Sequence, residues 1–262
     1  MTTAALDPYR PGDSLLHQLD ARVKVGLALG FILATALAPP GAWPVLMLLL
    51  ALALAVVILA ELRASFVLAR TALTLPFALA VLPSLFTVAG TPLFSLPWGW
   101  TATWEGMLRV ANVAIKMWLS VLVALTLTAT TPFTAILVVL RGWGLPKLLT
   151  AILALTWRYL FVLAEEAQRL MRARAARSGH IVQGRGGSLA WRARVTGGMV
   201  GNLLLRGTDR AERIYSAMAA RGYDGEPRVL AQPPLTVRNR ALLVLGSICL
   251  TLLALAGILF WG

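Results

Sequence analysis

The sequence predicts an all-α integral membrane protein: about five transmembrane helices, with a cytoplasmic insertion of two long helices ahead of the last span. Three observations predict it. The 262 residues are 58% hydrophobic, with a mean hydropathy of +0.77, and the apolar residues gather into runs near the ~20 residues that a bilayer core demands. The charge is lopsided, 24 Lys+Arg against 11 Asp+Glu for a net +13. The bases also sit between or beside the apolar runs, where they set orientation or meet anionic membrane lipids. No aromatic interleaving or recognition motif accompanies them, so nucleic acid is not an expected partner.

The first twenty residues are polar, with Asp7, Asp13 and Asp20, and no cleavable signal peptide is expected there. Five runs follow that are long enough to span or nearly so: Val23–Ala38, Ala42–Ala60, Phe66–Val88, Leu108–Thr130 and Ala241–Trp261. The first is short and needs its flanks to reach the interface. The turn "APPGAW" has no charge, and "GTPLFSLPWGWTATWEG" carries only Glu105 among its tryptophans and prolines. Arg22, Lys24, Arg63 and Arg70 flank the opposite side. Positive-inside then places the N-terminus in the cytoplasm and the Trp-rich loop outside, where indoles suit the headgroup zone.

Residues 131–240 hold 17 Lys+Arg and 6 Asp+Glu, or eleven of the net thirteen positive charges. Within them "LPKLLTAILALTWRYLFVLAEEAQRL" has the hydropathy of a span. A fifth crossing there would export one of the most basic segments of the chain and bury Arg158, at about 2.5–3.5 kcal/mol on insertion scales. A long cytoplasmic helix over 145–177 is therefore expected instead. "TPFTAILVVLRGWGLP" reads as a short helix entered at Thr-Pro and stopped at Gly142 and Gly144-Leu145-Pro146. The long helix ends at Ser178-Gly179, "HIVQGRGGS" is a glycine-rich turn, and a second long helix runs over Leu189–Arg221 to Gly222. "EPRVLAQPPLTVRNR" links it to the last span. The expected organisation is 1–130, N-terminal segment and spans one to four; 131–240, cytoplasmic region; and 241–262, final span.

Reactive chemistry has few candidates. Cys249 is the single cysteine, so no intrachain disulfide is possible. Apart from Glu61 at an edge, no carboxylate lies in the five runs, and His17 and His180 belong to no cluster, so no metal site or cofactor is expected. "GRGGS" at 184–188 lacks the lysine and spacing of a phosphate-binding loop, so the chain is not expected to hydrolyse ATP itself. Arg109, Asn112 and Lys116 share one face of the fourth span. They read either as a polar seam facing another subunit or a substrate path, or as an outward-snorkelling Arg109 with Lys116 paired to backbone or a neighbouring helix. A protein acting alone, as a secondary transporter or a lipid-modifying enzyme with a lipid-binding basic insertion, is the alternative class.

"LMRARAARSGH" (170–180) and "SAMAARGYDG" (216–225) end alike, in Ala-Ala-Arg, a small residue and a nearby glycine. A cation in a last helical turn meets the negative end of the helix dipole, and glycine takes the left-handed cap. That accounts for each ending alone. Both nevertheless close the two long helices of the insertion, and both put alanines before the arginine. A guanidinium on so slim a tip suits a carboxylate in a partner's pocket, and two such tips suit a pair of similar partners.

Ala176-Arg177-Ser178 and Ala220-Arg221-Gly222 resemble the Ala-Arg-Gly signatures of the transmembrane T component of energy-coupling-factor (ECF) transporters. "PGDSLLHQLDARVK" (11–24) resembles that family's opening segment, and "RYLFVLAEEAQRLMRAR" and "ERIYSAMAARGYDG" are most similar to its cobalt-transport branch, the CbiQ type. Ser178 departs from the more usual glycine. The resemblance implies a non-catalytic scaffold of an ATP-driven importer in the bacterial inner membrane. Its two crossing coupling helices would dock Arg177 and Arg221 on two ATP-binding subunits, with Ala176, Ser178, Ala220 and Gly222 giving clearance. It further implies a substrate-capturing membrane subunit of CbiM type, a small accessory membrane subunit of CbiN type, and cobalt as substrate, with nickel or a vitamin as alternatives. Gly197, Gly198 and Gly201 either let the second helix bend or approach the first, or serve packing.

Overall fold

A computed structural model describes residues 7–95, 101–178, 188–225 and 234–261. The Gly179 cap, the glycine-rich turn with His180, most of the 226–240 linker, and Trp98 and Trp100 lie outside those residues. The chain divides into two compact units, one of residues 9–139 and 232–262, the other of residues 1–8 and 140–231.

The first unit is a helical bundle. A short α1 (Leu15–Gln18) leads into α2 (Ala21–Leu37), whose first turn is capped by the Asp20 carboxylate accepting from Arg22 N–H at 2.9 Å. After the Pro39-Pro40-Gly41 turn comes α3 (Trp43–Leu59), with Pro44 in its first turn, where a missing N–H costs nothing. The helix α7 (Trp104–Thr130) is capped by Thr103, whose hydroxyl accepts from Gly106 N–H. The last helix is α11 (Val237–Trp261). Phe31, Leu46, Leu49, Leu119, Leu122 and Leu250 form one core between these helices. Leu33, Leu48, Ile58, Leu252 and Leu259 point outward and exposed, the pattern of helices solvated by lipid and not by water. Helices α7 and α11 are long and apolar enough to cross a membrane, and α3 is a shorter apolar helix.

The third expected span is not one helix. Phe66–Val88 is divided into α4 (Ala64–Thr71), a 3₁₀ turn (Ala72–Thr74), α5 (Leu75–Val81) and α6 (Ser84–Thr87). Pro76 and Pro83 lack the N–H that a continuous ladder needs. Hydroxyls stand in around the breaks: Thr71, Thr74 and Ser84 donate to the carbonyls of Val67, Thr71 and Val81. A short antiparallel ribbon, β1 (Pro92–Ser95) with β2 (Thr101–Thr103), follows within the Trp-rich loop. It is pinned to α7 by Thr91, whose N–H donates to Glu105 at 2.8 Å.

Helices α2 and α7 run antiparallel and exchange lysines. Lys24, in the first turn of α2, donates Nζ–H to the carbonyl of Thr130, the last residue of α7, at 3.0 Å in a buried site. Lys116 of α7 donates to the carbonyl of Ala38, the C-terminal cap of α2. A helix end presents carbonyls without intrahelical partners, and a cation is the strongest donor for them. At the far end of α7, Gly106 sits against the α6 backbone; a Cβ there would lie 2.7 Å from the Leu85 carbonyl oxygen.

The second unit contains the end of α8 (Phe133–Gly142), then α9 (Lys147–Ser178) and α10 (Leu189–Ala220). Helix α8 stops where expected: Gly144 takes φ +101°, and the N–H groups of Gly144 and Leu145 bond back to Arg141 and Leu140. Helix α9 is unbroken through the stretch expected to be a long cytoplasmic helix; by length and composition it also qualifies as a candidate span.

Lys24→Met keeps the apolar stem and removes the donor, leaving the buried Thr130 carbonyl bare. The expected cost is about 1–3 kcal/mol, read as a lower thermal midpoint of the purified chain in detergent. Gly106→Ala is expected to cost a similar ~1–3 kcal/mol, because its methyl meets backbone that cannot rotate away. Unchanged midpoints would remove the lysine exchange and the α6–α7 approach as structural constraints.

Candidate functional site

The two arginine endings differ in construction and agree in exposure. Arg177 lies in the last turn of α9, exposed beside the exposed Ala176, and Ser178 is the final helical residue. Arg221 is the C-terminal cap of α10 itself, one residue beyond the helix that was expected to include it. Gly222 follows at φ +76°, a left-handed conformation that L side chains rarely adopt. Its N–H bonds to Ala219 O and that of Tyr223 to Met218 O, both at 3.0 Å, a complete Schellman closure. Tyr223 and Met218 also line one apolar groove of this unit. A Cβ at Gly222 would touch nothing within 4 Å, so glycine is needed for its backbone and not for room.

Neither guanidinium has an ion pair or hydrogen bond among the described residues. Other arginines of the same unit are engaged. Glu166 of α9 accepts from Arg206 at 3.2 Å and Arg210 at 2.8 Å, both on α10, and so clamps the two helices near mid-length. Beside the clamp, Leu163 packs against Gly207. Arg169 pairs with Glu165 within α9 at 2.6 Å, and Arg174 lies over the Trp191 ring at 5.8 Å. Apolar Leu155, Tyr159, Leu163, Leu204, Ile214 and Met218 line a groove of about 590 Å³ between the helices.

This pairing fixes where the tips are. Arg174 against Trp191 puts the last turn of α9 beside the first turn of α10, so Arg177 and Arg221 flank opposite ends of α10. Its 32 residues at ~1.5 Å each separate them by roughly 48 Å. Among the described residues Arg177 and Arg221 have no charged or hydrogen-bonding side chain as partner. The arrangement can present two free cations, one helix length apart, on a clamped frame.

The three residues of the expected seam on α7 share a helix face and differ in environment. Arg109 is exposed in the second turn, because α7 begins at Trp104 and not near Leu108. Asn112 is buried with its amide nitrogen unpartnered, and Lys116 is spent on the Ala38 carbonyl. The pairing of Lys116 to a neighbouring helix is thus the observed one. Gly197, Gly198 and Gly201 have nothing within 4 Å of an added Cβ, so no close approach to the first helix occurs there, and α10 runs through them as one helix. His17 is structural: Nε2–H donates to the Arg10 carbonyl at 3.0 Å, and Nδ1 accepts from the Ser14 hydroxyl at 2.6 Å. Sequence reasoning missed the Glu166 clamp. Its signal was Arg206 and Arg210 at i and i+4, a two-pronged basic face awaiting one acid.

The chain matches the CbiQ family, described as cobalt transport protein, over residues 12–231. It is 34% identical to the cobalt transport protein CbiQ of Rhodobacter capsulatus, covering 79% of this chain and 80% of that one. It is 31% identical to an energy-coupling factor transporter transmembrane protein EcfT of Exiguobacterium sibiricum, covering 90% and 92%. Against the EcfT of Thermotoga maritima the identity is 29%, covering 87% and 83%.

Glu166→Lys sets three cations against one another and is expected to part the helices. In a Cys249→Ala background, Leu163→Cys and Gly207→Cys should be joined efficiently by a short bifunctional thiol reagent. Glu166→Lys should cut that yield severalfold, and Arg206→Glu with Arg210→Glu should restore part of it. A yield indifferent to residue 166 would remove the clamp from the account.

Proposed function

Because the chain belongs to the CbiQ cobalt transport protein family, and is thus an ECF-type transmembrane component, we propose that it couples two ATPase subunits to a substrate-capturing membrane subunit during cobalt import. The observation that carries this reading is the pair of unengaged guanidiniums at opposite ends of one clamped helix pair. Each is a planar, five-donor group matched to a carboxylate. Their separation suits two pockets on two subunits better than two pockets on one. The partner capturing cobalt is of CbiM type, with a small CbiN-type accessory subunit.

In this mechanism residues 131–240 lie on the cytoplasmic side of an inner membrane, with the N-terminus on the same side. Helix α9 stays out of the bilayer despite its length, because crossing would bury Arg158 and export the arginines that follow. ATP-driven approach of the two ATPase subunits draws Arg177 and Arg221 with them. Glu166, held by Arg206 and Arg210, keeps α9 and α10 moving as one body, so displacement of the tips becomes a tilt. Gly222, in its left-handed conformation, sets the direction of the Arg221 tip. The chain itself performs no hydrolysis.

Arg177→Glu and Arg221→Glu are each expected to leave membrane insertion intact, to weaken co-purification of the ATPase subunits by about 2–5 kcal/mol, and to abolish cobalt uptake. Normal assembly and transport by both variants would sink the docking role. In a Cys249→Ala background, Ser178→Cys should react with a membrane-impermeant maleimide only from the cytoplasmic side; labelling from outside would overturn the topology.

A further inference from the structure

A second basic feature lies within the first unit. The N-terminal segment is tied to the end of α7 by Arg10 N–H, which donates to the Ala129 carbonyl at 2.9 Å. The turn Pro11–His17 is fixed to the same residue by His17 on the Arg10 carbonyl. Arg10 is thereby delivered to Phe66 of α4, its guanidinium carbon 3.8 Å from the ring centroid. Arg70, one turn further along α4, stands 4.6 Å from the centroid of the same ring. Two cations share one phenyl face system, and among the described residues neither has a carboxylate partner. The ring attracts each of them and cannot neutralise both.

Arg70 also heads an apolar groove. Arg70, Thr74 and Phe77 line one wall, and Met117, Val121 and Leu125 of α7 the other, enclosing about 530 Å³. The α7 residues fall at i, i+4 and i+8, a single stripe. The walls carry no charge other than Arg70, and Phe77 is 64% exposed. A pair of unneutralised guanidiniums at the end of a spanning helix, opening onto an apolar channel along it, has the polarity of one phospholipid: anion at the head, hydrocarbon below.

We propose that this groove binds an anionic phospholipid, its phosphate held by Arg10 and Arg70 beside Phe66 and one acyl chain lying along Phe77, Met117 and Val121. The occupant is a lipid and not a soluble anion because the phosphate site and the hydrocarbon channel are continuous through Arg70. The inference is independent of how the arginine tips are used.

The test uses the full chain in neutral detergent, incubated with dioleoylphosphatidylglycerol, dioleoylphosphatidylcholine or inorganic phosphate, and counted by native mass spectrometry. The phosphatidylglycerol adduct should exceed the phosphatidylcholine adduct and survive excess inorganic phosphate. It should fall roughly fivefold for Arg10→Gln or Arg70→Gln, and about thirtyfold for both. Val121→Trp, which fills the channel with both arginines intact, should also abolish it, while Arg240→Gln should not. An adduct unchanged by the double variant or by Val121→Trp overturns the proposal. So does displacement by inorganic phosphate, which would mark a soluble-anion site, or an equal loss with Arg240→Gln, which would mark unspecific charge attraction.

Discussion

A backbone carbonyl at a helix end that is buried in protein needs a donor from elsewhere in the fold, and the first unit answers that constraint with lysine. Lys24 serves the end of α7 and Lys116 the end of α2, so each helix completes the other. The distances along the chain match: Lys24 to Ala38 on one helix and Lys116 to Thr130 on the other cover the same number of residues. The exchange therefore fixes the axial register of the two helices as well as their ends. Much else in the unit is arranged around that register, from the core of Phe31, Leu119 and Leu122 to the N-terminal turn hung from Ala129. A charged side chain within an apolar run looks like a site for substrate until its partner is known; here the partner is a peptide group, and the role is structural.

What could be read beforehand follows from how local each cause is. Runs such as Ala241–Trp261 declare themselves because length and hydropathy are properties of the run alone. The arginine endings were legible for the same reason: cation, glycine and the close of a periodic segment lie within one helical turn. Lys24 and Thr130 are 106 residues apart, and Glu166 lies 40 and 44 residues from its two arginines; no window along the sequence joins them. The third run misled for a different reason. A hydropathy average dilutes Pro76 and Pro83 among their apolar neighbours, while the backbone registers them as missing donors. The ribbon at Pro92–Thr103 is a pairing across a loop, invisible to composition.

The second unit shows one ending used in two ways. Arg221 and Gly222 form a closed cap whose bonds are all internal, so the arginine is held at the tip by backbone geometry. Arg177 still lies inside a helical turn. Both leave the guanidinium without a partner in a unit where Glu166 engages two other arginines at once. The acid is spent on rigidity between the helices and none is spent on the tips. That division leaves the two tips exposed and without a charged partner among the described residues.

The interrupted helix facing α7 has a mechanical corollary. A continuous α-helix resists bending because its ladder of hydrogen bonds is unbroken, and α7 and α11 have that stiffness. The α4–α6 stretch lacks that continuous ladder at the Ala72–Thr74 3₁₀ turn and again at Pro83, so it has joints where α7 has none. A load along α7 or α11 would therefore meet an unbroken ladder of hydrogen bonds, whereas the same load along the α4–α6 stretch would meet joints that can yield.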